Sequence, residues 1–194
     1  FLSLYKKNNT MKTEYKWLIG ILSALGLGAV IFTKRKSIME YSKEKVWDSL
    51  SEAKIFTLHP QVRDKAREFI NKAEKQGIKL RITSAYRTYA EQDALYAQGR
   101  TKGGSIVTNA KAGESSHNFG TAIDVVPIVN GIADWNTDWN KIATIGKSVG
   151  FAWGGDWTSF KDKPHFEMNF GNTLAQLRNK YNSGLISDGY VQLA

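Results

Sequence analysis

Two short segments concentrate residues whose types and spacing can do chemistry. The first runs Ser115-Ser116-His117-Asn118-Phe119-Gly120-Thr121-Ala122-Ile123-Asp124. Thr121 to Val126 reads as a strand, with Ala122, Asp124 and Val126 on one face and Ile123 and Val125 on the other. An unbroken strand would send His117 and Asp124 to opposite faces. Gly120 is where the backbone can bulge or turn and return both to one side, the geometry a metal site needs. Ala122 leaves room beside the carboxylate. A carboxylate inside a strand of Ile123, Val125 and Val126 needs a partner, and a cation is the least costly one.

The second segment is Asp162-Lys163-Pro164-His165-Phe166-Glu167-Met168-Asn169-Phe170. Here His165, Glu167 and Asn169 alternate with Phe166, Met168 and Phe170, so one face packs while the other lines a cleft. Pro164 keeps Lys163 extended and marks the strand entry, leaving Asp162 on a loop that can fold back over a metal. Taken singly, His117 and His165 are each more often structural than ligating. His59, beside Pro60 at a helix start, fits a cap or packing role.

These segments must be positioned by the rest of the chain. Pro60 opens a helix with Val62, Ala66, Phe69, Ile70 and Ala73 at helical spacing, ended by Gly77. Ile78, Leu80 and Ile82 alternate with Lys79, Arg81 and Thr83, which predicts a half-buried strand. A second helix covers Tyr89 to Gln98 and stops at Gly99. Trp139, Ile142, Ile145 and Val149 predict a third, ended by Gly150, and Leu174, Leu177 and Tyr181 a fourth. Short strands interleave with helices without a βαβ rhythm, so the expected fold class is α+β, a small antiparallel sheet with helices packed around it.

Upstream, Trp17 to Phe32 is uncharged and mostly apolar, with Lys12 and Lys16 before it and Lys34, Arg35 and Lys36 after. As a helix it would be ~24 Å long, slightly short of a bilayer's hydrocarbon core. It reads as an N-terminal hydrophobic helix serving as anchor or signal, with the anchor favoured because no clean small-x-small cleavage site follows. The heavier positive charge on its far side argues for a cytoplasmic domain, a bias that a large domain can override, so orientation stays open. The first methionine is Met11, and residues 1–10 are set aside from the fold. The organisation expected is therefore 1–36 as an N-terminal segment, 37–56 as a charged connector, and 57–194 as the folded domain.

Composition bounds the chemistry. The 194 residues contain no cysteine, so any metal must be held by histidine and carboxylate. The net charge of +9, from 27 Lys and Arg against 18 Asp and Glu, suits an anionic partner such as a wall polymer or membrane surface, and reads equally as simple solubility. The basic residues are spread out and no nucleic-acid-binding signature accompanies them, so no nucleic acid partner is expected.

Taken together, the two segments resemble the zinc DD-peptidase family, which includes D-Ala-D-Ala carboxypeptidases, dipeptidases and phage L-alanyl-D-glutamate endolysins. The family pattern, Ser-x-His-x-x-Gly-x-Ala-x-Asp and then carboxylate-x-x-His, is matched by Ser115, His117, Gly120, Ala122 and Asp124, then Asp162 and His165. The run Ser84-Ala85-Tyr86-Arg87-Thr88, with Glu91-Gln92 and Leu95-Tyr96, is similar to the family's upstream arginine motif. The resemblance covers about residues 57 to 170. It implies Zn2+ bound by His117, Asp124 and His165, with the fourth position left for water. It implies Asp162 as general base, Arg87 as the residue that steadies the substrate carbonyl and developing oxyanion, and Ser115 and Gln92 as substrate contacts or support.

Sister carboxypeptidases and dipeptidases usually carry Glu where this chain has Asp162. Together with Trp153-Gly154-Gly155-Asp156-Trp157, that resembles the L-alanyl-D-glutamate branch. Glu167 competes for the base role and is read instead as a partner that orients a ligand. Asp156 fits a loop cap, and the two tryptophans fit a cleft wall or core packing. The function expected is hydrolysis of peptidoglycan stem peptides, at the L-Ala-D-Glu bond. The alternatives are a D-Ala-D-Ala carboxypeptidase on the same site and a non-catalytic wall-binding module. The implied setting is the cell envelope, membrane-anchored or secreted, or the cytoplasm before lysis for a phage endolysin.

Overall fold

The computed structural model describes residues 27–193. The expected hydrophobic helix at 17–32 lies largely outside them, at residues 17–26. The first described helix, α1 (Leu27–Phe56), includes residues 27–32 and carries the charged 37–56 stretch. Among the described residues no helix is long and apolar enough to cross a membrane.

One compact unit spans Lys43–Ala194, so it begins upstream of the boundary at 57 read from the sequence. The physical reason is that the last turns of α1 bury side chains that the charge pattern masks. Ile55 is fully buried, and Ser51 accepts a hydrogen bond from the Ile82 amide at 3.0 Å.

Helix α2 (Pro60–Lys75) starts as its sequence dictates. Pro60 sits at the first turn, where no amide hydrogen is needed, and the His59 ring accepts from the Gln61 amide. Its face of Val62, Ala66, Phe69 and Ala73 is buried. Strand β1 (Leu80–Ser84) begins two residues later than Ile78, and Arg81 is buried rather than solvent-facing. Its guanidinium is met by Asp48 from α1 and by Glu74 from α2, partners that strand alternation cannot reveal. Helix α3 (Tyr89–Ala97) opens on a capping box between Thr88 and Glu91.

The sheet is antiparallel throughout. Strand β2 (Ala122–Val129) extends past the expected Val126 and pairs on one side with β1, while its far end turns back into the short β3 (Ile132–Ala133) on the opposite side. On its other side it pairs with β5 (His165–Glu167), which is flanked in turn by β4 (Ala152–Trp153). The register sets Asp124 opposite His165 and Ala122 opposite Glu167, with Ser84 across from Asp124 on the other flank. Helix α4 (Trp139–Val149), capped by Asp138, lies with α2 over the opposite face. Phe69 of α2 meets Phe166 of β5 there, ring centroids 4.8 Å apart. The apolar face of β5 thus anchors the core while its polar face is left for the site.

Helix α5 (Leu174–Asn182) is followed by a hairpin of β6 (Ile186–Ser187) and β7 (Tyr190–Val191). Phe119, Leu177 and Val191 form a second small core with Tyr89 packed against it. This cluster backs the segment that carries His117.

Candidate metal centre

Ser116–Phe119 forms a single 3-10 turn in front of β2, not a continuation of the strand. Gly120 ends it at φ 68°, in the left-handed region, and its amide returns to His117 and Ser116 carbonyls. A Cβ on Gly120 would stand 2.7 Å from the His59 nitrogen, so both the dihedral and the close approach require glycine. The turn swings His117 onto the face of Asp124. The β2–β5 register brings His165 to the same place.

One donor atom from each of His117, Asp124 and His165 lies within 4.8 Å of the others, the span a single cation bridges. Asp124 Oδ1 is 3.2 Å from His117 Nε2 and 3.2 Å from His165 Nδ1. Both histidines are buried. The outer nitrogen of His117, Nδ1, is 2.6 Å from the Ala85 carbonyl oxygen. A carbonyl only accepts, so Nδ1 carries a hydrogen and Nε2 is the ring nitrogen left to meet a cation. Two imidazoles, neutral when they ligate, and one carboxylate, with no thiolate, form a donor set that suits zinc with an open coordination position.

The electrostatics follow from this packing. Burial works against the charge on Asp124, but His117 and His165 outweigh it and hold the carboxyl well below the usual carboxylate range. Burial disfavours the protonated form of His165, yet Asp124 and Glu167 reverse this and push it up to about 9. For Asp162, burial followed by the nearby Asp124 charge raises the carboxyl above its ordinary value.

These groups line a cleft of about 570 Å³, whose walls include Arg87, Asp162, Val107, Trp157 and Phe160. Arg87 is fastened on two sides, donating to Gln92 Oε1 at 2.9 Å and to Ser84 Oγ at 3.2 Å. Gln92 is fully buried behind it and does not line the cleft; its amide nitrogen donates to the Ala110 carbonyl at 2.7 Å. Gln92 thus braces Arg87 from outside the cleft lining, because α3 turns its side chain into the protein. Ser115 does line the cleft, and its hydroxyl accepts from the His117 amide at 3.4 Å.

The tryptophans divide their roles. Trp153 is buried, its ring nitrogen donating to the Lys163 carbonyl at 2.7 Å, which ties down the loop ahead of β5. Trp157 is 37% exposed and tilts over His165 with centroids 5.0 Å apart. Asp156 pairs with Lys147 at 2.6 Å on the surface, away from the metal position. Ser84 and Ser116 drew no separate role from the sequence, though both sit inside its motifs; a hydroxyl next to a ligand or an arginine motif is the signal that marked them.

A family model described as D-alanyl-D-alanine carboxypeptidase matches residues 108–168, which hold all three candidate ligands. The chain is also 45% identical over 122 residues to the peptidoglycan L-alanyl-D-glutamate endopeptidase CwlK of Bacillus subtilis, covering 57% of this chain and 73% of that protein. The chain belongs to the zinc DD-peptidase family. Among other members of this family, an L-alanyl-D-glutamate peptidase from a Listeria phage is 30% identical over 126 residues, 63% of this chain and 42% of that protein. Solved structures similar to this zinc DD-peptidase include the Serratia marcescens L-Ala D-Glu endopeptidase ChiX, at 24% identity and TM-score 0.46 over 62% of this chain and 86% of that one. VanYB in complex with D-Alanine-D-Alanine matches at 19% identity and TM-score 0.47, over 66% of this chain and 78% of that one.

Proposed function

We propose that this chain hydrolyses the L-Ala-D-Glu bond of peptidoglycan stem peptides, with zinc held by His117, Asp124 and His165. The observation that carries the reading is the convergence of these three donors in one cleft with Asp162 and Arg87. The choice of bond is supported by the 45% identical endopeptidase relative. Bound there, zinc supplies a Lewis acid that acidifies water and polarises the scissile carbonyl.

Asp162 takes the proton of the attacking water and passes it to the leaving amine. Its raised proton affinity suits both halves of that transfer, since a stronger base also makes a carboxylic acid that survives long enough to donate. Arg87, held by Gln92 and Ser84, points its guanidinium into the cleft and stabilises negative charge building on the carbonyl oxygen. Ser115 borders the same space and supports substrate contact. The enzyme acts at the cell envelope, and the apolar stretch at 17–32 is the segment we assign to tethering it there.

A D-Ala-D-Ala carboxypeptidase is the second reading, favoured by the description of the family model matched at 108–168. Both bonds join an alanine carbonyl to the nitrogen of a D-residue, so one metal site serves either. Digestion of purified sacculi followed by mass spectrometry separates them. New N-terminal D-Glu is the expected product; released D-Ala would move the assignment to the carboxypeptidase. Chelation abolishes lysis and Zn2+ restores it. Asp162→Asn keeps zinc and loses activity by roughly 100-fold or more. Full lysis by that variant would remove Asp162 from the mechanism, and no lysis by any form would leave the non-catalytic wall-binding module.

A further inference from the structure

Glu167 stands two positions beyond His165 on the same face of β5, and its carboxylate Oε2 lies 3.3 Å from His165 Nε2. Behind it runs a chain of buried and half-buried polar groups from three different places in the fold. Thr121, fully buried at the entry to β2, has its hydroxyl 2.5 Å from Asn169 Oδ1 and 3.1 Å from the Ser116 carbonyl. Its single proton goes to the nearer oxygen. That fixes the Asn169 amide, whose nitrogen then donates to Ser116 Oγ at 3.1 Å. The Ser116 hydroxyl, on the 3-10 turn beside His117, donates onward to Glu167 Oε2 at 2.5 Å.

We propose that Glu167, clamped by Ser116, Asn169 and Thr121, is a positioning residue that fixes His165 in the tautomer whose Nδ1 lone pair faces the metal position. The inference rests on the zinc-peptidase reading above. Every donor in the chain points toward Glu167, so the carboxylate is left to accept, and its remaining neighbour, His165 Nε2, must donate. A hydrogen held on Nε2 leaves Nδ1 as the ring nitrogen able to ligate a cation, and Nδ1 is the atom that faces Asp124. Flipping the Asn169 amide would draw the Ser116 proton away and leave a 2.5 Å oxygen–oxygen contact with no serine hydrogen in it. The register supplies the space, since Glu167 lies opposite Ala122, whose methyl group lets the longer side chain lean along the sheet.

The two histidines are thus set by different means. His117 is fixed by a backbone carbonyl that no substitution can remove, whereas His165 depends on four side chains. The engagement of Oε2 by both Ser116 and His165 also argues against Glu167 as the proton acceptor in the reaction.

The test combines long-range proton–nitrogen NMR of the histidine rings with zinc titration against a chromophoric chelator. It uses the full chain as wild type, Glu167→Gln, Glu167→Ala and Asn169→Leu. In the zinc-bound wild type, His165 carries its single ring hydrogen on Nε2. Glu167→Ala binds zinc about 10- to 100-fold more weakly and shows mixed His165 tautomers, while His117 is unchanged. Glu167→Gln, whose amide oxygen still accepts, recovers most of the affinity, and Asn169→Leu falls between them. If Glu167→Ala fails to fold, the other two variants carry the comparison. The proposal is overturned if Glu167→Ala or Asn169→Leu leaves both tautomer and affinity as in wild type. It is equally overturned if Glu167→Gln binds zinc normally yet loses turnover, which would make Glu167 a base. A wild-type chain that takes up no zinc instead removes the metal reading itself.

Discussion

At the scale of single residues, the site holds opposed charges that a cation must displace or join. In metal-stripped protein, His165 keeps its proton up to about pH 9, above the 6.5 of an unfolded histidine. Its contribution to stability is therefore complete below about pH 6.5 and is lost as the pH climbs through 9. Asp124 acts in the opposite direction at the acid end, its contribution disappearing as the pH falls below the usual carboxylate range. Zinc requires the unprotonated ring, so metal affinity rises over the same interval in which the stripped protein weakens. Thermal melts in chelator between pH 6 and 9.5 should show a falling midpoint, and zinc should restore more at pH 9 than at pH 6. A flat midpoint in chelator would mean that His165 holds no proton in this window.

Gln92 offers a second residue-scale test, because it touches Arg87 and the Ala110 carbonyl but not the cleft. Gln92→Leu keeps the volume and removes both hydrogen bonds, freeing the guanidinium and leaving a half-buried carbonyl unpaired. We expect turnover to fall by about tenfold with zinc affinity unchanged, and the loss to shrink once Arg87 is already alanine. Additive losses in the double variant would show that Gln92 acts elsewhere. The three candidate ligands were legible through the resemblance, since Asp124 in an apolar strand calls for a partner while either histidine alone reads as structural. The burial of Gln92 was not legible, because it depends on which way α3 rolls against the loop at 110, a tertiary choice that no local period encodes.

At the scale of elements, the catalytic loop is held by contact with the 3-10 turn at Gly154–Asp156. The Asp162 amide donates to the Gly154 carbonyl at 3.1 Å, and a Cβ on Gly154 would come within 2.5 Å of the Asp162 carbonyl oxygen and 3.0 Å of His165 Cβ. Gly154→Ala therefore has to push the loop that carries Asp162 away from the strand that carries His165. The expected result is a drop in turnover of about 100-fold, since a displacement near 1 Å at a reacting group has that order of effect. Folding should survive with a lowered melting point, read from circular dichroism. A variant with wild-type turnover would show that Asp162 is not placed by this contact. Strands β1, β2 and β5, helices α2 to α5 and the turn at Gly120 followed from alternation, helical spacing and one glycine. The length of β2 and the 3-10 geometry did not, because both are settled by pairing partners far away in sequence.

At the scale of the whole molecule, the question is where the folded enzyme begins. The sequence divides at 57, where charged residues give way to the α2 pattern, but the compact unit includes the end of α1 from Lys43. Three contacts explain why. Asp48 joins Glu74 in neutralising the buried Arg81, Ser51 satisfies an amide on β1, and Ile55 is sealed in the core. Because β1 is the outer strand of the path leading to Asp124, removing that cover strikes the sheet on which the metal ligands stand. A chain of residues 43–194 should therefore fold, bind zinc and cleave isolated stem peptides as the full chain does. A chain of residues 57–194 should melt at least 10 °C lower, because it leaves Arg81 short of a partner and exposes the pocket of Ile55, a loss of about 3 kcal/mol. Zinc should rescue part of that loss by binding only the folded form. Equal melting points for the two truncations would show that α1 is dispensable to the domain, and loss of folding in residues 43–194 would place the boundary further upstream still.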